Sequence, residues 1–216
     1  MIRNAKFTAV LLSFGLALGL AGCAGGYGAA HPNVMNNVGH TASWDEFGYC
    51  GGWGCSDRQT ANFTADEWRQ VEEVFAVPAT SAEQERQQIA QSIGVIENIA
   101  GAKTGYDNDR GGTGAGIFHR GQLDCYSEAA NTSTFLHLLD NAGLIRFHTV
   151  SDPIMRGQAA SKSFRPTHAT AAITENESGT LIAMDSWFYD NGHAAVYVDA
   201  DTWADGWGPD DGGAMF

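Results

Sequence analysis

The chain predicts an α+β fold. Segments with helical apolar spacing fill its first half and short strand-like runs its second, an order that gives helices packed on an antiparallel meander rather than alternating β-α units. Two further observations locate chemistry on that fold: Cys125 opens the last strong helical segment, and His168 and Asp185 stand at the ends of two of the strand-like runs.

Residues 1–22 come first. Arg3 and Lys6 precede an apolar stretch over residues 7–20, and Leu20-Ala21-Gly22-Cys23 ends it with small residues before a cysteine. This reads as an export signal rather than a membrane span. Leu20 to Cys23 resembles a bacterial lipoprotein signal, which implies cleavage before Cys23 and lipid attached to its sulfur and new amino terminus. Ala24 follows with no aspartate beside the cysteine, which implies the periplasmic face of the outer membrane. No later segment is apolar for long enough to cross a bilayer, so the expected membrane attachment is by lipid alone.

Loss of residues 1–22 removes two of the 12 Lys and Arg and none of the 25 Asp and Glu, leaving 10 basic against 25 acidic residues and a formal charge of −15. Nucleic acid is therefore not an expected partner, because phosphate binding draws on a basic face. The remaining 194 residues suit a single domain with a sizeable core. Residues 23–43 are rich in Gly, Ala and Asn without apolar periodicity, which predicts a flexible tether with a reach of roughly 25 Å. Residues 44–216 are then the domain.

Within it, Trp44, Phe47, Tyr49 and Trp53 lie among glycines in a loop that Cys50 and Cys55 are close enough to staple. An exported protein favours the disulfide over a metal site there, since no second close pair of Cys or His accompanies the two. Residues 65–77 and 81–102 read as helices, the second with Ile89, Ile93, Ile96 and Ala100 on one face and Ser81 or Thr80 as N-cap. Residues 103–116 read as loop. Its Asp107-Asn108-Asp109 has the start of a calcium loop but no bidentate acid near Phe118, so a solvated turn is expected. A third helix, 125–141, has Asp124 as N-cap and Gly143 as its stop. The strand-like runs are 144–150, 167–174, 180–185 and 194–198. A turn centred on Asn176-Glu177 would set His168 directly opposite Asp185, whereas a turn displaced towards Gly179 would set it opposite Trp187.

Cysteine arithmetic singles out Cys125. Cys23 goes to lipid, Cys50 and Cys55 to each other, and one thiol is left in the first turn of a helix, where unpaired N–H groups and the positive end of the macrodipole favour a thiolate. The expected chemistry is nucleophilic: Cys125 attacks an acyl carbon, His168 moves the proton, and Asp185 orients the imidazole. The backbone N–H of Cys125 and the side chain of Gln122 are the nearest oxyanion donors. His148 is the reserve base, and a zinc ion on Cys125, His168 and Asp185 is the alternative use of the same three side chains. Trp187, Phe188, Tyr189, Trp203 and Trp207 either close the core or wall a groove.

These residues resemble the transglutaminase-like branch of the papain-type superfamily, and within it the bacterial periplasmic transglutaminase-like cysteine proteinases. The likeness runs from about residue 86 to 198. It is carried by Ile96-Glu97-Asn98, Tyr106-Asp107, Asp124-Cys125, the helix end Leu138-Leu139-Asp140-Asn141-Ala142-Gly143-Leu144, Thr167-His168-Ala169 and Met184-Asp185-Ser186-Trp187. The resemblance implies a papain-like or transglutaminase-like core, a Cys125–His168–Asp185 triad, and a protein or peptide substrate in the cell envelope. The chain departs from the pattern twice. Tyr126-Ser127 replaces an acidic pair linked to calcium, and Thr170 replaces a tryptophan linked to cross-linking. No cofactor or metal is expected. Peptidoglycan peptides as substrate, and a non-catalytic envelope lipoprotein acting as a binding module, are the competing expectations.

Overall fold

The computed structural model describes residues 26–112, 119–157 and 167–209. Residues 1–22 and the lipidation expected at Cys23 lie outside the described residues. The architecture is α+β.

Chain order runs β1 (Gly28–Ala29), α1 (Pro32–Met35), β2 (Phe47–Gly51), β3 (Asp57–Ala61), α2 (Ala65–Val74), α3 (Ala82–Thr104), α4 (Cys125–Asn141), β4 (His148–Arg156), β5 (His168–Glu175), β6 (Leu181–Asp185), β7 (Val196–Asp199) and α5 (Ala200–Ala204). Five strands form one antiparallel sheet in the order β1-β4-β5-β6-β7, and β2 pairs with β3 in a separate hairpin.

The three long helices start where side chains cap them. Thr64 and Glu67 make a capping box at α2, Ser81 accepts from Gln84 N–H at α3, and Asp124 accepts from Ser127 N–H at α4. At the far ends, Gly105 and Gly143 take the positive φ that lets the chain turn away. Helix α4 is buried nearly all round, from Ser127 through Leu136 and again at Leu138 and Leu139. It fills the middle of the main core between α3, the hairpin and the sheet face that carries Ala171, Ile173 and Met184. The opposite face, with Ile154, Ala172 and Ala183, is covered by Ala200, Trp203 and Ala204 of α5.

The described part of the expected tether corrects that expectation. Gly28 and Ala29 pair with Met155 and Ile154 at the sheet edge, Val34 is fully buried, and Gly39 N–H donates to Thr134 Oγ1 at 2.9 Å. Composition alone hides this, because two backbone hydrogen-bonding residues and one buried valine suffice to seat a Gly-rich segment. The expected stapled loop is a hairpin closed by a short 3-10 turn at Trp53–Cys55, and Cys50 and Cys55 form the disulfide.

Strand β4 also differs from the 144–150 run. It begins at His148 and continues past Pro153 to Arg156 by a register shift between Ser151 and Ile154. Pro153 has no N–H to give a ladder, and the irregularity accommodates it on the side where its carbonyl accepts Ala30 N–H at 3.1 Å.

Candidate active site

Cys125 is the first residue of α4, half-buried and free of disulfide. Its helix end is held from two sides. Asp124 Oδ1 accepts Ser127 N–H and its Oδ2 accepts Gly54 N–H, both at 2.9 Å. The turn containing Gly54 is the one stapled by Cys50–Cys55, and it is stitched onto α4 further along. Ser127 Oγ donates to Gly52 O at 2.7 Å and accepts Cys55 N–H at 2.9 Å.

The imidazole and carboxylate come together, by a different register from the simplest one. Ala171 pairs with Met184 and Ala172 with Ala183, so extending the ladder sets His168 opposite Trp187 and Asp185 opposite Thr170. The shift of two positions preserves the alternation of faces, and His168 reaches Asp185 as a diagonal neighbour. His168 Nε2 and Asp185 Oδ2 are 2.7 Å apart, with both side chains buried. With Nε2 so engaged, Nδ1 is the ring nitrogen left for Cys125, whose sulfur lies near enough to raise the imidazole pKa. Burial by itself pulls the His168 pKa down, but the Asp185 charge and hydrogen bond, and then Cys125, raise it to about 9. The ring sits in an aromatic box, with Trp187, Phe188 and Trp203 centroids at 4.8, 5.6 and 5.5 Å.

Gln122 does not serve as expected. Its amide nitrogen donates to Asn108 O at 2.8 Å and Gly121 O at 3.1 Å, and its oxygen accepts Arg110 N–H at 3.2 Å. With two N–H groups and two carbonyl partners, the side chain anchors the loop before α4 and has no donor to spare. The backbone N–H of Cys125 has no acceptor among the described residues and remains the oxyanion donor of that pair.

His148 is remote from this chemistry. Its Nδ1 meets Glu85 Oε1 at 2.9 Å and its Nε2 faces Arg86 at 3.2 Å, in a buried network that ties α3 to β4. His40 and His137 bond one another at 2.9 Å. Among the described residues no three Cys, His, Asp or Glu side chains are disposed to hold a metal ion, and Asp185 meets the imidazole directly rather than through one.

Three buried acids, one on the nucleophile helix and two on neighbouring segments, escaped sequence reasoning. Glu128, one turn after Cys125, accepts from Ser186 Oγ at 2.9 Å. Asp109, expected in a solvated turn, is 4% exposed and accepts Leu123 N–H at 2.7 Å. Glu97 accepts Gly192 N–H through one oxygen, while the other, buried, has no partner. Burial raises all three pKa values, Glu97 to about 8 and Glu128 well above the usual range, and repulsion adds to it, from Asp109 on Glu97, from Glu97 and Asp109 on Glu128, and from Asp190 on Asp109. With its pKa at about 8, the Glu97 carboxyl keeps its proton at neutral pH. The available signal was the placement of Glu97 one position after Ile96 on the apolar side of its helix, and of Glu128 about one turn after Cys125.

Trp203 is the other residue that sequence reasoning left unassigned. Its Nε1 donates to Asp185 Oδ2 at 2.8 Å.

No protein-family model, curated protein or solved structure matches the chain.

Proposed function

We propose that the protein is a lipid-anchored thiol hydrolase of the bacterial envelope, with a papain-like or transglutaminase-like core, cleaving a peptide or isopeptide bond in a protein substrate. One observation carries this reading: a free thiol at the start of a buried helix acts electrostatically on an imidazole whose Nε2 is held by a buried carboxylate. A resting cysteine in a core needs none of these partners.

The chemistry follows from the order of the three groups. The sulfur of Cys125 attacks the carbonyl carbon and forms a thioester while the C–N bond breaks, and the imidazolium of His168 gives its proton to the departing amine. Water then attacks the thioester with His168 accepting its proton, releasing the acid and restoring the thiol. Asp185 keeps Nε2 protonated and Nδ1 directed at the sulfur. The Cys125 N–H, at the positive end of α4, faces the developing oxyanion.

The localisation rests on residues 20–23, and the test there is metabolic labelling with a fatty acid, which Cys23→Ala abolishes. For the activity, the test is alkylation of Cys125 by iodoacetamide at pH 7. Fast alkylation in the unsubstituted protein, slowed at least tenfold by His168→Ala, supports the reading, and equal slow rates in both sink it. Incubating Cys125→Ala with envelope extract then separates the substrates: a retained protein supports proteolysis, and retained muropeptides redirect the reading to the cell wall.

A further inference from the structure

Asp185 Oδ2 accepts two hydrogen bonds, from His168 Nε2 at 2.7 Å and from Trp203 Nε1 at 2.8 Å, while Oδ1 takes Trp187 N–H at 3.2 Å. Trp203 is fully buried and its indole is a donor only. It cannot leave the carboxylate without stranding its own buried N–H.

The indole is clamped in place. Asp199 caps the short helix that carries it, accepting Asp201 and Thr202 N–H at 2.9 and 3.3 Å. The Arg156 guanidinium lies over the indole at 4.6 Å and donates to the carbonyls of Trp203 and Trp207. Arg156 is also the residue paired with His168 across β4 and β5. A cation above the ring draws electron density from it and makes its N–H the better donor.

We infer that Trp203, held by Arg156, is a positioning residue that weakens the grip of Asp185 on the His168 proton by occupying the same carboxylate oxygen. Two donors on one oxygen share its charge, so each bond is weaker than it would be alone. Without the indole, the buried carboxylate has His168 as its one strong donor and holds that proton harder. An imidazolium already raised to about 9 is a poor proton donor at neutral pH, and any further rise slows delivery to a leaving amine. Its purpose rests on the hydrolase reading, while the sharing of one oxygen does not.

The test is NMR titration of the His168 ring in Cys125→Ala protein, with and without Trp203→Phe, which keeps an aromatic ring under Arg156 and deletes the N–H. The expected result is a His168 midpoint about one pH unit higher in the Trp203→Phe protein. In the protein that retains Trp203, the indole N–H resonance should move with the same midpoint as the His168 ring, a readout that needs no substitution at Trp203. An indole resonance indifferent to that titration, or an unshifted His168 in a folded Trp203→Phe protein, overturns the inference. Alkylation of Cys125 is scored separately. A shifted His168 beside an inert thiol leaves the Trp203 assignment standing and removes the hydrolase reading, and a reactive thiol beside an unshifted His168 does the reverse.

Discussion

Asn131 grips Cys50 by both polar groups of its backbone: the side-chain oxygen accepts Cys50 N–H at 2.7 Å and the amide donates to Cys50 O at 2.8 Å. All of these atoms are buried, two turns along the helix that Cys125 begins. Asn131→Ala leaves a donor and an acceptor without partners and is expected to cost about 3 kcal/mol. Urea unfolding measures it, and a midpoint equal to that of the parent protein would show that the grip adds no stability.

The disulfide turn is the other half of that contact. Replacing Cys50 and Cys55 together by serine should lower stability by about 2 kcal/mol from the short loop alone. It should also slow Cys125 alkylation, because Gly54 N–H and Cys55 N–H then hold Asp124 and Ser127 less firmly. Loss of stability with an unchanged alkylation rate would separate the staple from the nucleophile.

His168 gives stability a pH dependence of known sign. Its folded pKa of about 9 lies above the ordinary 6.5, so the protonated ring stabilises the fold fully below pH 6.5, and that contribution is lost as pH rises through 9. Unfolding free energies measured from pH 6 to 10 should fall by a few kcal/mol, and His168→Gln should make the fall shallower, most clearly between pH 8 and 9.

Glu97 acts in a lower window. Its pKa of about 8 against an ordinary 4.5 means that the neutral acid supports the fold below pH 4.5 and that this support fades as pH climbs through 8. Glu97→Gln keeps the shape without the titration. The variant should be no more stable than the parent at pH 4.5 and measurably more stable at pH 8.5, read by thermal unfolding at both values.

The parts of this structure that depend on neighbours in sequence were legible in it. Asp124 before Cys125, Ser81 before its helix and Gly143 after the next are local signals, and Cys50 and Cys55 lie within one turn of chain. What failed required distant partners. Whether His168 faces Asp185 or Trp187 depends on where one turn falls among Asn176, Glu177, Ser178 and Gly179, all of which tolerate turns. Gln122 looked free because the carbonyls of Asn108 and Gly121 that occupy it could not be placed beforehand. Asp109 looked solvated for the same reason. Trp203, eighteen residues beyond Asp185, gave no sign that its indole would return to that carboxylate.

Strand β1 sets a length scale. On the proposed attachment at Cys23, only five residue steps separate the lipid from Gly28, where the chain is already paired with Met155. Fully extended they span roughly 18 Å, less than the diameter of the domain they would moor. Such a mooring would hold the domain against the bilayer, so proteins passing through or held at the membrane would be met far more often than those free in the surrounding fluid.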